Sequence, residues 1–441
     1  MIVCLDHPTS TAPPVDPAAA ARSGAFCGHE TLCPGSSRYA NDPVAACEFD
    51  KSPLVMAAIL LTDCWTRKSL SAVRSLGIAG AEVHAVTHKR FSPAIYSRYA
   101  SRYFVVPDPA LEPSLYLERI ICLLRSKSYD CIIPFEESSI AVFASARRQI
   151  EQYARLPVPP AEEFHKANNK WHVLRIARQA GVPVPRTFLP ENEDDLLREA
   201  EALGHPLIIK PVTSSGSRGC AKVHSEADLL PIYRSTIARY GPPLVQECIP
   251  QHGEGVGVAL LADRGRVLVD FSHRRLREFP LVGGPSTLRE STDDREIKQY
   301  AATIVEALGW TGVAMVEFKR DPRDGKAKLM EVNPRFWGSL HLSYVAGINF
   351  PYLLYRWCMG DAIEQPPYRT GVRCRWLLPG DVAHFLANPR RFDMTPSFLN
   401  FRGVHYDDFM SGDLSGNLAS VWCALLSVFD PQAWAKGVRR S

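Results

Sequence analysis

VAMVEFKRDPRDGKAKLMEVNPRFWGS, residues 313–339, reads as two β-like runs about an Asp-Pro-Arg-Asp-Gly turn signal, and its register follows from the sequence. Centring the hairpin near Asp324 sets Glu317 opposite Glu331, with Ala314, Val316 and Phe318 sharing the other face with Met330 and Val332. Asn333, two residues beyond Glu331, falls on the carboxylate face. Carboxylates opposed in this way have Cβ atoms about 4.5–5.5 Å apart, which is destabilising unless a cation or a shared proton intervenes. Hard oxygen donors without His or Cys select Mg²⁺ or Mn²⁺ over Zn²⁺, and Mg²⁺ leaves its remaining positions to phosphate and water. The pattern therefore points to a nucleotide. A solvated face with ordinary surface acids is the alternative, because a register shift separates the pair.

A second element stands about a hundred residues upstream. LIIKPVTSSGSRGC puts Lys210 at the end of an apolar run, followed by a loop with Gly216, Gly219, three serines and Arg218. Glycine permits close approach of backbone N–H groups to phosphate oxygens, and Lys210 adds a fixed positive charge. The G-x-x-x-x-G-K-[ST] pattern is absent, and a plain turn is the alternative. LVQECIP, ending in Glu247, Cys248 and Ile249, is an apolar strand that could offer backbone groups to adenine, and Glu254 follows in a Gly-rich turn. GEGVGV at Gly253 precedes a strand and lacks the spacing of a dinucleotide loop.

Before residue 157 the rhythm is β-α-β: LVMAAILLTD, a helix closed by Gly77, AEVHAVTH, a strand at Tyr103–Pro107, a helix at Ser114–Ser126, a strand at Tyr129–Pro134 and a helix at Ser138–Tyr153. This predicts a mostly parallel sheet of four or five strands. Pro157, Pro159 and Pro160 mark a boundary, FHKANNKWHVLRIARQAG reads as one helix ending at Gly181, and the following region alternates hairpin-like strands with helices. The expected domains are a disordered leader (1–52), an N-terminal α/β domain (53–157), a nucleotide-binding domain (158–360, with subdomains about 183–246 and 250–360) and a C-terminal helical extension (361–441). The fold class is α/β and α+β multidomain, with antiparallel sheets forming the cleft. The basic, apolar tail from Ala419 to Arg440 reads as a helix packed on the core, with a membrane-surface helix as the alternative.

The chain has 441 residues, 46% of them hydrophobic and 22% charged, an ordinary soluble composition large enough for several cores. A formal net charge of +4 gives no reason to expect a nucleic-acid partner. The 12 cysteines are scattered without a C-x-x-C, so reduced thiols are expected, and Cys27, His29, Cys33 and Cys47 fit no common zinc spacing. With no signal-like opening and no apolar run of membrane-spanning length, a cytoplasmic protein without a transmembrane segment is expected. A homodimer is compatible with this composition.

In this order the pieces resemble the ATP-grasp superfamily, the group that includes biotin carboxylase, carbamoyl-phosphate synthase and D-alanine:D-alanine ligase. The resemblance runs over about residues 54–360, and MEVNPRFWGS, Met330 to Ser339, is its most specific element. It implies an ATP-grasp fold, with Lys170 and Lys210 on the nucleotide phosphates and Ser214, Ser215, Gly216 and Ser217 as the mobile phosphate loop. Glu247 with the Cys248 and Ile249 backbone would hold adenine, and Glu254 the ribose. Glu317, Glu331 and Asn333 would bind two Mg²⁺ (or Mn²⁺) ions, and Arg335 would face the transferred phosphate or the activated carboxylate.

FSHRRLREFPLVGGPSTLRES lies between hinge and hairpin, and its cations suit a carboxylate and a developing acyl phosphate. Arg275 and Arg289 are the candidates there, while His273 is expected to be structural or to contact ATP. The implied activity is an ATP-dependent carboxylate-amine ligase on small-molecule substrates, releasing ADP and phosphate. The alternatives are a non-catalytic ATP-binding sensor or scaffold, or an ATP-grasp ligase using a thiol or bicarbonate.

Overall fold

The computed structural model describes residues 54, 56–214, 216, 218–250, 252–281 and 283–428. The leader, Ser215, Ser217 and the tail beyond residue 428 lie outside the described residues.

The first sheet is β1 (Ala58–Leu61), β2 (Glu82–Thr87), β3 (Arg102–Val105) and β4 (Cys131–Ile133), all parallel, in the order β3-β2-β1-β4. The AILL run of β1 is buried throughout, as a strand covered on both faces requires. The helix Arg67–Ile78 that follows β1 starts with a capping box, in which Thr66 and Ser69 satisfy each other's backbone N–H groups. Because β1 lies between β2 and β4, the strand order reverses there, and a crevice opens at the carboxyl ends of β1 and β4. Asp63 spans that crevice in a left-handed conformation (φ 57°), accepting from the Phe135 and Glu136 N–H groups at 3.0 and 3.1 Å.

The second sheet, antiparallel in the order β5-β8-β6-β7, comprises β5 (Thr187–Phe188), β6 (Leu207–Pro211), β7 (Ala221–Val223) and β8 (Pro243–Glu247). Leu196 of the helix Glu193–Leu203 and Leu229 and Tyr233 of the helix Glu226–Tyr240 close its core with Leu207 and Ile209.

The third sheet has seven strands: β9 (Gly255–Asp263), β10 (Arg266–Glu278), β11 (Ser286–Thr292), β12 (Gly312–Arg320), β13 (Ala327–Asn333), β14 (Arg373–Arg375) and β15 (Val404–Tyr406). Their order is β13-β12-β9-β10-β11-β14-β15. Strand parity divides its residues cleanly. Val256, Val258, Leu260 and Val316 pack with Ile304 and Val305 of the helix Arg295–Leu308, while Ala259, Leu261, Phe271 and Met315 pack with Ile59, Leu61 and Ile133 of the first sheet. Beyond that second core the same face turns polar and becomes a cleft.

Several sequence expectations need correction. The stretch read as one helix from Phe164 to Gly181 is two, Ala161–Asn168 and Lys170–Gln179. Asn169 leaves the helical region (φ −93°, ψ 104°) and caps the second helix by accepting from the His172 N–H at 2.9 Å. The break puts Lys170 in a first helical turn, with its N–H bonded to Val212 O at 2.9 Å. Likewise the segment after Ser138 is divided into Glu137–Ser145 and Arg147–Ile150. In the hairpin a register shift between Glu317 and Phe318 pairs Phe318 with Leu329, so Leu329 rather than Met330 joins the core. The C-terminal extension is not all helical, since β14 and β15 lengthen the third sheet. The helix Leu414–Val428 turns its small residues, not its large ones, toward the protein.

Candidate functional site

The hairpin brings its two acids together as read from the sequence. Glu317 on β12 pairs in register with Glu331 on β13, and Met315 with Asn333. Asn333 Nδ2 donates to Glu317 Oε1 at 3.2 Å, which leaves its Oδ1 available as a ligand oxygen. Burial raises the Glu317 pKa, and the neighbouring Glu331 raises it further. Arg275 opposes that shift through an ion pair with Glu317. Lys170 Nζ lies 3.4 Å from Glu331 Oε2 and also donates to Ser214 O at the start of the Gly/Ser loop. Lys210 is buried on β6, its pKa lowered by burial and supported by the Glu331 charge. Lys170, Lys210, Ser214, Glu317, Glu331, Asn333 and Arg275 thus converge on one cleft from the helix Lys170–Gln179, the strands β6, β10, β12 and β13, and the Gly/Ser loop.

Two glycines missed in the sequence reading make the convergence possible. On one row of the third sheet Gly257 lies between Glu317 and His273. A Cβ at Gly257 would stand 2.9 Å from His273 Cε1, and one at Gly255 would stand 3.0 Å from Arg275 Cδ. The bare backbone of Gly255 lets Arg275, on β10, lie over β9 and reach Glu317 on β12, and that of Gly257 makes room for the His273 ring. The spaced glycines of GEGVGV were the signal, and they act through strand pairing rather than a dinucleotide loop.

His273 is fully enclosed. Burial, then the Arg275 and Arg289 charges, push its pKa down to about 3. It is neutral near pH 7, with Nε2 3.4 Å from Ser339 Oγ.

Arg335 sits beside the acids but turns toward the first sheet, donating to Glu137 Oε1 at 2.6 Å and to Phe336 O at 2.8 Å. Burial alone would raise the Glu137 pKa, but Arg335 and Lys68 hold it down at about 2. Lys68 completes this link, 2.9 Å from Glu136 Oε1 and donating to Phe336 O at 3.0 Å. Burial, then Arg335, bring its pKa down to about 8. In the sequence Lys68 reads as one more helix charge, so nothing there marks it.

Other candidates are placed differently. Arg289 is fully buried and bonded to Asp407, not exposed to a substrate. Glu254 is 3.4 Å from Arg274, whose parity on β10 is opposite to that of His273 and Arg275. The Glu247 carboxylate accepts from Arg186 N–H at 3.0 Å and from Arg323 at 3.1 Å, which ties the hinge to the hairpin turn. The Cys248 N–H is bonded to Pro206 O at 3.3 Å, and Ile249 O is 3.5 Å from Lys319 Nζ.

Among the described residues no group of three or more His, Cys, Asp or Glu side chains gathers as a metal site. The fitting set is smaller: two facing carboxylates completed by an amide oxygen. Its chemistry suits Mg²⁺ or Mn²⁺. Lys170 beside Glu331 and Arg275 on Glu317 bring positive charge to both acids.

Residues 242–378 match the family model described as "ATP-grasp in the biosynthetic pathway with Ter operon". Over those residues the chain matches the ATP-grasp superfamily. The chain is 26% identical over 239 residues to acetyl-CoA carboxylase 2 of Oryza sativa subsp. japonica, covering 47% of the chain and 10% of that protein. It is 28% identical over 214 residues to D-alanine–D-alanine ligase B of Pseudomonas syringae pv. tomato, covering 45% of the chain and 65% of the ligase. In structure it is similar to the biotin carboxylase domain of the Hydrogenobacter thermophilus 2-oxoglutarate carboxylase, solved with MgADP, ADP and bicarbonate. That match has a TM-score of 0.60 and 17% identity, over 72% of this chain and 73% of that one. The chain spans about a tenth of the length of the plant carboxylase.

Proposed function

We propose that this chain is an ATP-dependent carboxylate-amine ligase that releases ADP and phosphate. The observation that carries the reading is the facing Glu317–Glu331 pair with Asn333, met by Lys170 from the Asn169-capped helix. A carboxylate resists amines because oxide is a poor leaving group. Attack of the acid's oxygen on the γ-phosphorus breaks the bond to ADP and gives an acyl phosphate. The amine lone pair then attacks the carbonyl carbon, phosphate leaves with the C–O electrons, and the amine loses a proton.

The residues have separate tasks in this scheme. Lys170 and Lys210 hold phosphate oxygens, and the loop containing Ser214 and Gly216, with Ser215 and Ser217, closes over them and excludes water. Glu317, Glu331 and Asn333 would hold Mg²⁺ or Mn²⁺, two ions in this proposal, whose charge would screen the phosphates and polarise the phosphoryl group. Arg335 and Arg275 supply positive potential where phosphate is transferred. Glu247, Cys248 and Ile249 form the adenine hinge. For Glu254 to meet the ribose its carboxylate must turn away from Arg274. Arg289, held by Asp407, takes no part in contacting substrate. A cytoplasmic setting and small-molecule substrates belong to the same proposal.

The test is phosphate release from MgATP across a panel of acids and amines, with Glu331→Gln as the control. Bicarbonate belongs in the panel because the Hydrogenobacter neighbour was solved with it. Release that requires both an acid and an amine supports the ligase. ATP binding without release under any pair supports the sensor reading.

A further inference from the structure

The helix Leu414–Val428 is amphipathic in the wrong direction for a surface helix. Gly416, Ser420 and Ala424, spaced four apart, are buried against the protein. Leu414, Leu418, Trp422, Leu425 and Leu426 are between 43% and 72% exposed. At 3.6 residues per turn these five fall on one stripe about a third of the way round the helix. The small residues let the helix sit close on the turn Pro93–Tyr96, so the arrangement is a packed one, not a helix hanging free.

Basic residues border the stripe. The helix itself, LSGNLASVWCALLSV, carries none. Arg98 is exposed and lines an open groove with Leu414 and Leu418. Lys89 acts electrostatically on Cys423, and exposed Arg90 and Phe91 follow it in the same loop. Asp413, at the head of the helix, is buried and neutralised by Arg74 at 2.7 Å. In sequence the chain continues FDPQAWAKGVRRS, with Lys436, Arg439 and Arg440 against Asp430.

We propose that this face is a membrane-surface contact, the apolar stripe seated in the interface of a bilayer whose anionic headgroups meet Lys89, Arg90 and Arg98. An in-plane helix of this kind gains from buried apolar area and from attraction to anionic lipid together. Trp422 at its middle suits the headgroup boundary. The helix lies on the membrane and does not span it: 15 residues rise roughly 22 Å, against a hydrocarbon core of about 30 Å. Among the described residues no helix is long and apolar enough to cross. A second copy docked on the same face about a two-fold axis would oppose two cationic rims, which disfavours that occupant.

The experiment is co-sedimentation of the full chain with phosphatidylcholine vesicles, with and without phosphatidylserine. The expected result is binding to the phosphatidylserine vesicles that weakens at high salt. The Trp422→Asp/Leu425→Asp and Lys89→Gln/Arg90→Gln variants should each reduce it about tenfold or more, with the thermal midpoint of each variant unchanged. No sedimentation of the wild type, or equal sedimentation with both vesicle types, overturns the proposal. So does a wild-type dimer that Trp422→Asp/Leu425→Asp converts to monomer while vesicle binding is unaltered.

Discussion

Arg275 reaches Glu317 across an intervening strand, and the space it crosses is kept open by glycine. The two residues stand on β10 and β12, and β9 between them carries Gly255 and Gly257. A Cβ at Gly257 would press to 2.9 Å on the enclosed His273 ring, which has nowhere to move. Gly257→Ala is therefore expected to keep the fold, with a thermal midpoint within a few degrees of wild type, while MgATP-dependent phosphate release falls by about a hundredfold through misplacement of the acids. Wild-type turnover in this variant would show that the row is not positioned tightly.

Arg275 also sets the charge state of Glu317. Burial and Glu331 raise the Glu317 pKa, and Arg275 opposes them. Metal binding needs the carboxylate ionised. In Arg275→Met the Glu317 pKa moves higher, so the acid limb of the pH profile for phosphate release shifts to higher pH. An unmoved limb, with activity lowered equally at every pH, would remove this electrostatic role.

Arg289 is an internal ion-pair partner, bonded to Asp407 with both side chains nearly inaccessible. Removing one partner of such a pair leaves an uncompensated buried charge and costs about 3–5 kcal/mol. Asp407→Ala should lose stability of that order in urea unfolding, with the KM for ATP of the folded fraction unchanged. A change in substrate affinity without a change in stability would return Arg289 to the site.

The Glu317–Glu331 register was legible because the turn is fixed locally: Gly325, at φ 72°, closes it with its N–H on Asp321 O at 2.7 Å. The bulge that exchanges Met330 for Leu329 was not, since either residue satisfies an apolar pattern. Arg289 was assigned to the substrate because its partner comes 118 residues later, on a segment with no periodicity. The strands β14 and β15, three residues each, are too short to alternate visibly. Asn169 was legible in principle as a cap, but the apolar period runs on through it and hid the break that aims Lys170 at Glu331.

Asp408 gives a pH signature for the whole fold. Burial, then Asp407, raise its pKa from 3.8 to about 7. It binds its proton more tightly folded than unfolded, so its contribution to stability is complete below 3.8 and is lost as pH rises through about 7. Asp408→Asn removes the titration while keeping an acceptor for the Leu378 N–H, now bonded at 3.0 Å. The variant is expected to gain thermal midpoint relative to wild type at pH 8 and not at pH 4. An equal difference at both pH values would rule out this titration.

Mn²⁺ binding followed by electron paramagnetic resonance, in the presence of a non-hydrolysable ATP analogue, addresses the metal site without any knowledge of the substrates. Wild-type protein should take up Mn²⁺ with the nucleotide, and Glu331→Gln should lose affinity by about tenfold to a hundredfold with its thermal midpoint preserved. Equal uptake by wild type and Glu331→Gln would contradict the assignment of Glu317, Glu331 and Asn333 as the metal-binding face.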